Sequence, residues 1–261
     1  MSPTASSGPV TIEMTGLEKR FALRRGEQVH ALGPVDLALT AGEFVAIVGP
    51  SGCGKSTLLR VGAGLLNPSA GSMRRTRGGA SFVFQEPALL NWRTVAANCT
   101  LPLELTAVPR REWSERVRAS LELVGMGEWS GAYPSQLSGG MKMRVSVARA
   151  LVTDADVVHF DEPFAAIDEL TREVLNVELS QVWAKRRFAA LFVTHNVHEA
   201  VFLADRVLVM SPRPGRIVGE VTVPFAHPRP LELRTSGEFA AVVREVTALL
   251  RASSPAPAAA R

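Results

Sequence analysis

A glycine-rich segment at residues 49–56 has the composition of a phosphate-binding loop. An apolar run at residues 44–48 precedes it and predicts a buried strand, and residues from Thr57 onward predict a helix. Glycines let backbone N–H groups turn toward an anion, and the start of a helix adds unsatisfied donors. We predict a nucleotide site in which Lys55 reaches the β- and γ-phosphates and the Ser56 hydroxyl binds Mg²⁺. The segment fits G-x-x-x-x-G-K-[ST] and comprises Gly49, Pro50, Ser51, Gly52, Cys53, Gly54, Lys55 and Ser56.

Two adjacent carboxylates follow a second apolar run. Residues 157–160 predict a buried strand, and Asp161 and Glu162 come directly after it. A carboxylate at the carboxyl end of a strand beside the phosphate loop can hold Mg²⁺, and the next one can orient or deprotonate a water molecule. The alternative is an acidic pair on the surface, and the apolar character of the preceding strand argues against it.

Two further polar residues follow predicted strands. Gln85 comes after residues 80–84, and His195 comes after residues 189–194. We place His195 beside a γ-phosphate, where a histidine is useful to a nucleotide site. The alternative is a metal-binding pair with His198, which we disfavour because no third ligand lies nearby and no H-E-x-x-H pattern is present.

Ser138, Gly139 and Gly140 lead into a predicted helix at residues 142–151. A serine and two glycines at a helix start offer backbone donors and a hydroxyl group to an anion. The alternative is a serine that only caps the helix, and on this segment alone that interpretation is the stronger one.

The sequence allows two interpretations each of Phe21 and Cys53. Phe21 is either a platform for an adenine ring or an ordinary aromatic residue of an edge strand, with nothing in the sequence to separate them. Cys53 lies in the anion-binding loop at a helix start, where the pKa of a thiol can fall. In that case its alkylation blocks ATP binding and ATP protects it. The favoured alternative is a small residue that fills space.

The elements needed to position these residues predict an α/β fold. We expect a P-loop NTPase core with a mostly parallel central sheet, an N-terminal antiparallel β subdomain, and a helical insertion subdomain at about residues 87–150. Residues 10–251 form one domain in this prediction, and residues 1–9 and 252–261 are disordered. The finer expectations are a helix at 57–66, an irregular stretch at 87–105, helices at 110–124, 169–186 and 237–251, and strands at 207–210 and 215–223.

Composition sets limits on the class of protein. Hydrophobic residues make up 46% of the 261 residues, so a large core is expected. A net charge of +4 without a basic patch interleaved with aromatic residues disfavours nucleic acid as a partner. The two cysteines, Cys53 and Cys99, fit a reducing compartment. We expect no signal peptide and no apolar run of the roughly eighteen residues that span a membrane, so any membrane role needs a partner.

Taken in order, these motifs resemble the ATP-binding subunit of an ABC transporter over residues 10–251. The phosphate loop alone is shared with kinases and small GTPases, whereas the ordered combination is specific to this family. It consists of residues 49–56, Gln85, Leu137-Ser138-Gly139-Gly140-Met141, Asp161-Glu162, Asp168 and His195.

The resemblance implies a role for each matching residue. Glu162 is the catalytic carboxylate and His195 contacts the γ-phosphate. Gln85 senses the γ-phosphate and the metal and faces the permease. The implied metal site comprises Ser56, Asp161 and Gln85, and Asp161 holds Mg²⁺ through water. ATP contacts extend over Phe21, residues 49–56 and Thr57, and the site of the opposite subunit is completed by Ser138, Gly139 and Gly140, with Asp168 at the interface.

The resemblance also implies partners and a branch of the family. Residues 82–95, residues 137–146 and Pro228-Arg229-Pro230-Leu231 resemble nitrate, sulfonate and taurine importers, including Met141 where glutamine is usual. Ile167 replaces the usual leucine. A head-to-tail homodimer would then sandwich two ATP molecules and drive a permease at the cytoplasmic face of the membrane, with an extracytoplasmic binding protein that chooses the solute. The disfavoured alternatives are an ABC ATPase without membrane partners and a regulator that hardly hydrolyses ATP.

Overall fold

The computed structural model describes residues 8–23, 27–76 and 79–253. The segments predicted to be disordered, residues 1–9 and 252–261, lie outside these ranges except at their inner ends. At the first of these ends, the carbonyl of Pro9 accepts a hydrogen bond from the backbone N–H of Ala41 at 2.9 Å. At the second, the last helix continues to Ser253 and so passes the predicted end of the domain at residue 251.

The chain combines strands and helices, and their longest strict alternation lies between residues 139 and 210. The strands are β1 (Val10–Ala22), β2 (Gln28–Thr40), β3 (Phe44–Val48), β4 (Ala70–Arg75), β5 (Ala80–Val83), β6 (Val157–Asp161), β7 (Ala189–Val193), β8 (Arg206–Met210) and β9 (Ile217–Thr222). The helices are α1 (Lys55–Gly62), α2 (Val95–Glu104), α3 (Arg110–Leu123), α4 (Gly139–Leu151), α5 (Glu169–Arg186), α6 (Val197–Leu203) and α7 (Gly237–Ser253).

The strands form two sheets. The central sheet has the order β5-β6-β7-β3-β8-β9 and is parallel except for its last strand, whereas β2, β1 and β4 form a smaller antiparallel sheet. The predicted fold class is therefore confirmed. Within the described ranges, none of the helices is both long enough and apolar enough to cross a membrane.

The central strands are apolar on both faces because both faces are covered. Side chains alternate along a strand, so Phe44 enters one core cluster while its neighbour Val45 enters the other. The first cluster contains Trp183 of α5, whose ring meets that of Phe44 edge to face at a centroid distance of 5.7 Å. The second joins the central sheet to α1 and to the antiparallel sheet. Burial on two sides explains the uninterrupted apolar runs in the sequence.

Helix α1 is shorter than the predicted helix at residues 57–66. It ends at Gly62, and Gly64 follows with a φ of +77°. The N–H of Gly64 donates to the carbonyl of Val61, and the N–H of Leu65 donates to that of Arg60 at 2.8 Å. These two bonds form a Schellman motif. The left-handed conformation of Gly64 turns the chain back, so that these N–H groups bond the last carbonyl groups of the helix and the helix ends.

The helical subdomain contains a helix where the prediction had an irregular stretch. Helix α2 occupies half of residues 87–105, and Pro102 lies within its last turn. The helix begins because Thr94 accepts a hydrogen bond from the N–H of Ala97 at 3.2 Å. Its buried Asn98 then bonds the backbone of Leu90 through both amide atoms. The prediction treated proline as a breaker of the helix, but the helix continues past Pro102 to Glu104 and forgoes the one hydrogen bond that the proline cannot donate.

A buried histidine lies in the middle of the central sheet. His159 on β6 is fully buried, and its Nδ1 lies 3.3 Å from the carbonyl oxygen of Ser81. Its Nε2 has no hydrogen-bond partner among the residues that the structure describes. Burial lowers the pKa of His159 to about 4, with a smaller contribution from Arg75. The imidazole is therefore neutral in the folded protein at neutral pH.

We expect His159 to make the protein sensitive to acid. Histidine in the unfolded chain titrates near pH 6.5, so only the unfolded chain takes up this proton as the pH falls from about 6.5 to 4. The free energy of unfolding therefore decreases by up to about 3 kcal/mol over this range. The measurement is urea unfolding at several pH values for the wild type and for His159→Gln, which keeps a polar side chain that does not titrate. The variant should lose less stability over this range, and an equal loss in both proteins would refute the assignment.

Candidate active site

The loop at residues 49–56 joins the carboxyl end of β3 to the start of α1. Its conformation needs glycine at two positions, since Gly52 has a φ of +75° and Gly54 has a φ of +111°. A Cβ atom on Gly54 would lie 2.7 Å from the carbonyl oxygen of Ala31. Both the positive φ and the close approach of Ala31 therefore require glycine at position 54, which explains this part of the sequence pattern.

Lys55 begins α1 and turns back across the loop. Its side chain is buried, and Nζ donates hydrogen bonds to the carbonyls of Gly49 at 2.9 Å and Pro50 at 3.2 Å. The same ammonium lies 3.9 Å from Oε1 of Glu162. A buried cation is thereby held by the loop at a fixed position, where an anion would meet it with little reorganisation.

The register of the central sheet brings Ser56 and Asp161 together. Asp161 is the last residue of β6, and the hydroxyl of Ser56 donates to its Oδ1 at 2.6 Å. The guanidinium of Arg60, one turn further along α1, lies 3.9 Å from Oδ2. A hydroxyl and a carboxylate oxygen are therefore adjacent at the mouth of the loop.

Glu162 and His195 form a second close pair at this edge of the sheet. Asp161 of β6 is paired with Val193 of β7, so the residues that follow the two strands are also neighbours. The Nδ1 of His195 lies 2.9 Å from Oε2 of Glu162. Glu162 has a φ of +46°, and its N–H donates to the carbonyl of Val193 at 2.9 Å. A left-handed backbone at a non-glycine residue costs energy, and such strain is concentrated at functional sites.

A cavity of about 280 Å³ opens over the loop. The ring of Phe21 forms part of its wall, and Lys19 Nζ lies 5.2 Å from the centre of that ring. This position favours the adenine-platform interpretation of Phe21 over that of an ordinary edge-strand aromatic residue. The predicted residues that line the cavity are Phe21, Ser51, Gly52, Gly54, Lys55, Ser56, Thr57 and Glu162.

Other predicted residues lie outside this cavity. Ser138 caps α4 by accepting a hydrogen bond from the N–H of Met141 at 3.3 Å, and Asp168 caps α5 by accepting one from that of Thr171 at 3.0 Å. The hydrogen bond from Thr171 also lowers the pKa of Asp168. A Cβ atom on Gly140 would lie 3.0 Å from Thr171, so the starts of α4 and α5 are neighbours. These residues therefore form a second group, with Gly139 exposed beside Ser138.

Gln85 follows β5, the edge strand next to β6, and is exposed. It makes no hydrogen bond to the described residues Ser56 and Asp161. Its loop is tied to the helical subdomain by Arg149, which donates to the carbonyl oxygens of Pro87 at 2.7 Å and Ala88 at 2.8 Å. Gln85 therefore lies at the carboxyl end of the strands, as predicted for a site residue, but without a direct hydrogen bond to Ser56 or Asp161.

Sequence reasoning missed Arg213, which also lines the cavity. Its guanidinium donates to the carbonyl oxygen of Gly52, at 3.0 Å from one terminal nitrogen and 3.3 Å from Nε. The residue belongs to no motif. Strand β8 is parallel to β3, however, so the loop that follows β8 must lie at the edge that carries the phosphate loop. That topological argument is the signal that would have found it.

The structure favours the interpretation of Cys53 as a small residue that fills space. The side chain is only 1% exposed, and burial raises the pKa of its thiol, which outweighs the opposite effect of Lys55. The loop after β8 closes over this residue, because a Cβ atom on Gly215 would lie 2.1 Å from the carbonyl oxygen of Cys53. Cys53 therefore fills space beneath the loop.

The chain is similar in sequence and in structure to known proteins. The model of the ABC transporter family matches residues 32–165. The taurine import ATP-binding protein TauB of Rhizobium johnstonii is 42% identical, over 89% of this chain and 94% of its own. The aliphatic sulfonates import ATP-binding protein SsuB of Burkholderia pseudomallei K96243 is also 42% identical, over 98% and 75%. The solved dimeric cassette MJ0796, in a post-hydrolysis state with ADP and phosphate, superposes with a TM-score of 0.71 at 27% identity, covering 82% of this chain and 100% of that one.

We expect both cysteines to resist alkylation in the folded protein. Burial raises the pKa of Cys53 and raises that of Cys99 to about 12, so neither residue supplies thiolate at pH 8. Intact-mass spectrometry after treatment with iodoacetamide should show slow labelling of native protein, equal with and without ATP. Fast labelling in urea is the control. Rapid modification of native Cys53, slowed by ATP, would restore the reactive interpretation.

Proposed function

The chain belongs to the ABC transporter family, and from this premise we propose that it is the ATP-hydrolysing subunit of an importer for a small oxyanion such as nitrate, a sulfonate or taurine. The observation that carries the proposal is one cavity in which Lys55, Ser56 and Glu162 meet. The taurine and sulfonate relatives support the class of solute. Choice of the solute belongs to other subunits in this scheme, because the cavity of this chain is built for a nucleotide.

ATP binding follows from the residues that surround the cavity. The triphosphate would lie over the backbone N–H groups of residues 49–56 and the N-terminus of α1. Lys55 is already held by two carbonyls of the loop, so its charge is positioned before the phosphates arrive. Phe21 also lines the cavity and would stack on the adenine ring.

The paired oxygens of Ser56 and Asp161 fit Mg²⁺. A hydroxyl and a carboxylate are the ligand types this ion accepts, and the two side chains already meet at 2.6 Å. Mg²⁺ bound there would neutralise charge on the phosphate oxygens. We propose Ser56 as its direct ligand, Asp161 as a ligand through water, and Gln85 as the residue that approaches the site from the edge of the sheet.

The Glu162–His195 pair supplies the chemistry at the γ-phosphate. We propose that the carboxylate of Glu162 orients the attacking water and accepts its proton. His195 holds one oxygen of that carboxylate at 2.9 Å and would contact the γ-phosphate. With Lys55 beside the other oxygen, the chain contributes position and charge, which are the main means of accelerating phosphoryl transfer.

A second copy would complete the site. Ser138, Gly139 and Asp168 are exposed and lie outside the cavity of their own chain. We propose that Ser138, Gly139 and Gly140 meet the γ-phosphate held by Lys55 of another copy in a head-to-tail dimer, and that Asp168 lies in the contact between the two copies. The dimeric state of the solved relative supports this arrangement. A two-fold assembly then contains two equivalent composite sites.

We propose that the permease binds the surface that follows Gln85. Trp92 is 75% exposed and Leu105, just past α2, is 82% exposed, which is unusual for large apolar side chains. Both lie in the segment joined to the edge of the sheet through Gln85. A partner on this surface would place the chain peripherally at the cytoplasmic face of the membrane.

Replacing Glu162 with Gln should separate binding from hydrolysis. An amide accepts no proton from water, so we expect ATP turnover to fall at least about a hundredfold while ATP is still bound. The measurements are phosphate release and light scattering in the presence of ATP, which should show a stable dimer. Glu238→Gln, an exposed carboxylate at the start of α7, is the control and should be fully active. Persistent turnover in Glu162→Gln would contradict the assignment.

Arg213 should contribute to nucleotide affinity. Its guanidinium faces the cavity, and no carboxylate of the described ranges forms an ion pair with it. We expect Arg213→Gln to weaken ATP binding about fivefold at low salt and less at high salt, since an exposed charge is screened. The control is Arg216→Gln in the same loop, where the arginine bonds the carbonyl of Gly33 instead. Equal affinities of the two variants, measured by calorimetry, would show that Arg213 has no such role.

A further inference from the structure

A buried ion pair lies behind the site and is not used in the chemistry above. Glu199 on α6 is 4% exposed, and its Oε1 lies 3.6 Å from Nε of Arg172 on α5. The hydroxyl of Thr194 donates to the other carboxylate oxygen at 2.6 Å. Neither charged residue lines the nucleotide cavity. Burying charged groups costs desolvation energy, and contact with the nucleotide does not explain why these two are buried.

One end of this pair holds the segment that carries His195. Thr194 and Asn196 flank the histidine, and the hydroxyl of Thr194 also accepts a hydrogen bond from the N–H of Asn196 at 3.0 Å. The side chain of Asn196 caps α6 by accepting from the N–H groups of His198 and Glu199. Glu199 therefore fixes both neighbours of His195, whose own ring bonds Glu162.

The other end holds the segment that carries Asp168. Arg172 donates to the carbonyl oxygen of Ile167 at 2.7 Å and to Oε2 of Glu169 at 2.9 Å. These are the residues on either side of Asp168. The guanidinium thus fixes the start of α5, whereas the carboxylate of Glu199 fixes the loop after β7.

The contact between the two halves is the weakest part of the connection. Nε of Arg172 lies 3.6 Å from the carboxylate, and this buried atom makes no hydrogen bond to any of the described residues. Buried polar atoms are rarely left unpaired, and the exceptions often mark a functional arrangement. Each charged group is anchored to a different loop, so their ion pair links the loop after β7 directly to the start of α5.

We propose that Glu199 and Arg172 are positioning residues that make the segments of His195 and Asp168 move as one unit. The inference rests on the proposed function, in which His195 reads the γ-phosphate of its own chain and Asp168 meets the second copy. A rigid connection between the two would transmit the state of one nucleotide to the dimer contact. The expected consequence is cooperativity between the two sites of the dimer.

The test compares the full-length wild type with Glu199→Gln, Arg172→Gln and the double variant. Each single change should lower kcat about tenfold and move the Hill coefficient for ATP toward one, while the dissociation constant for ATP stays within about twofold. The double variant should be no slower than the worse single variant, because both changes break one connection. Glu173→Gln is the matched control on α5, since Glu173 pairs with Arg234 and not with the loop after β7.

Other readouts separate positioning from loss of folding. Thermal unfolding reports stability directly, and Thr194→Ser keeps the hydroxyl donor to Glu199 and should retain cooperativity even if the charged variants fold poorly. Unchanged kcat and Hill coefficient in stable variants would overturn the inference, and so would independent, multiplicative effects in the double variant. Absence of ATPase activity in the wild type would instead overturn the proposed function.

Discussion

The parallel register of β3, β6 and β7 is the constraint on which the site depends. Carboxyl ends of neighbouring parallel strands meet at one edge of a sheet, so residues far apart in the chain become adjacent there. Pairing of Asp161 with Val193 sets Glu162 beside the loop that carries His195. Pairing of β3 with β7 and β8 adds the phosphate loop and Arg213 at the same edge. A shift of one residue in a strand would turn its side chains to the other face and displace the segment that follows the strand.

The central sheet holds that register because both its faces are buried. Phe44 packs against Phe160, Phe192 and Trp183 of α5 on one face. On the other, α1 and the antiparallel sheet cover Val45 and Ile47. The strain at Glu162 and the burial of Lys55 are local costs, which the well-packed sheet can tolerate.

Local sequence was informative where one short segment decides the structure. The phosphate loop, the carboxylates after β6 and the whole of α5 were predicted because the strand pattern, glycine geometry and helix periodicity lie within a few residues. Helix α2 was missed because Pro102 was taken as a breaker, although it lies in the last turn. The two interpretations of Cys53 could not be separated locally, because the loop that buries it comes from residues 211–216, far along the chain. Arg213 and the Arg172–Glu199 pair depend on tertiary contacts that no local pattern records.

We propose that each nucleotide site is made from two copies of this chain. The decisive experiment is a crystal structure with Mg²⁺ and a non-hydrolysable ATP analogue. We expect two copies related by a two-fold axis, with the triphosphate on residues 49–56, adenine on Phe21, and Ser138 of the second copy within hydrogen-bond distance of the γ-phosphate. A structure with the nucleotide fully enclosed by one chain, or with Ser138 far from every nucleotide, would contradict it.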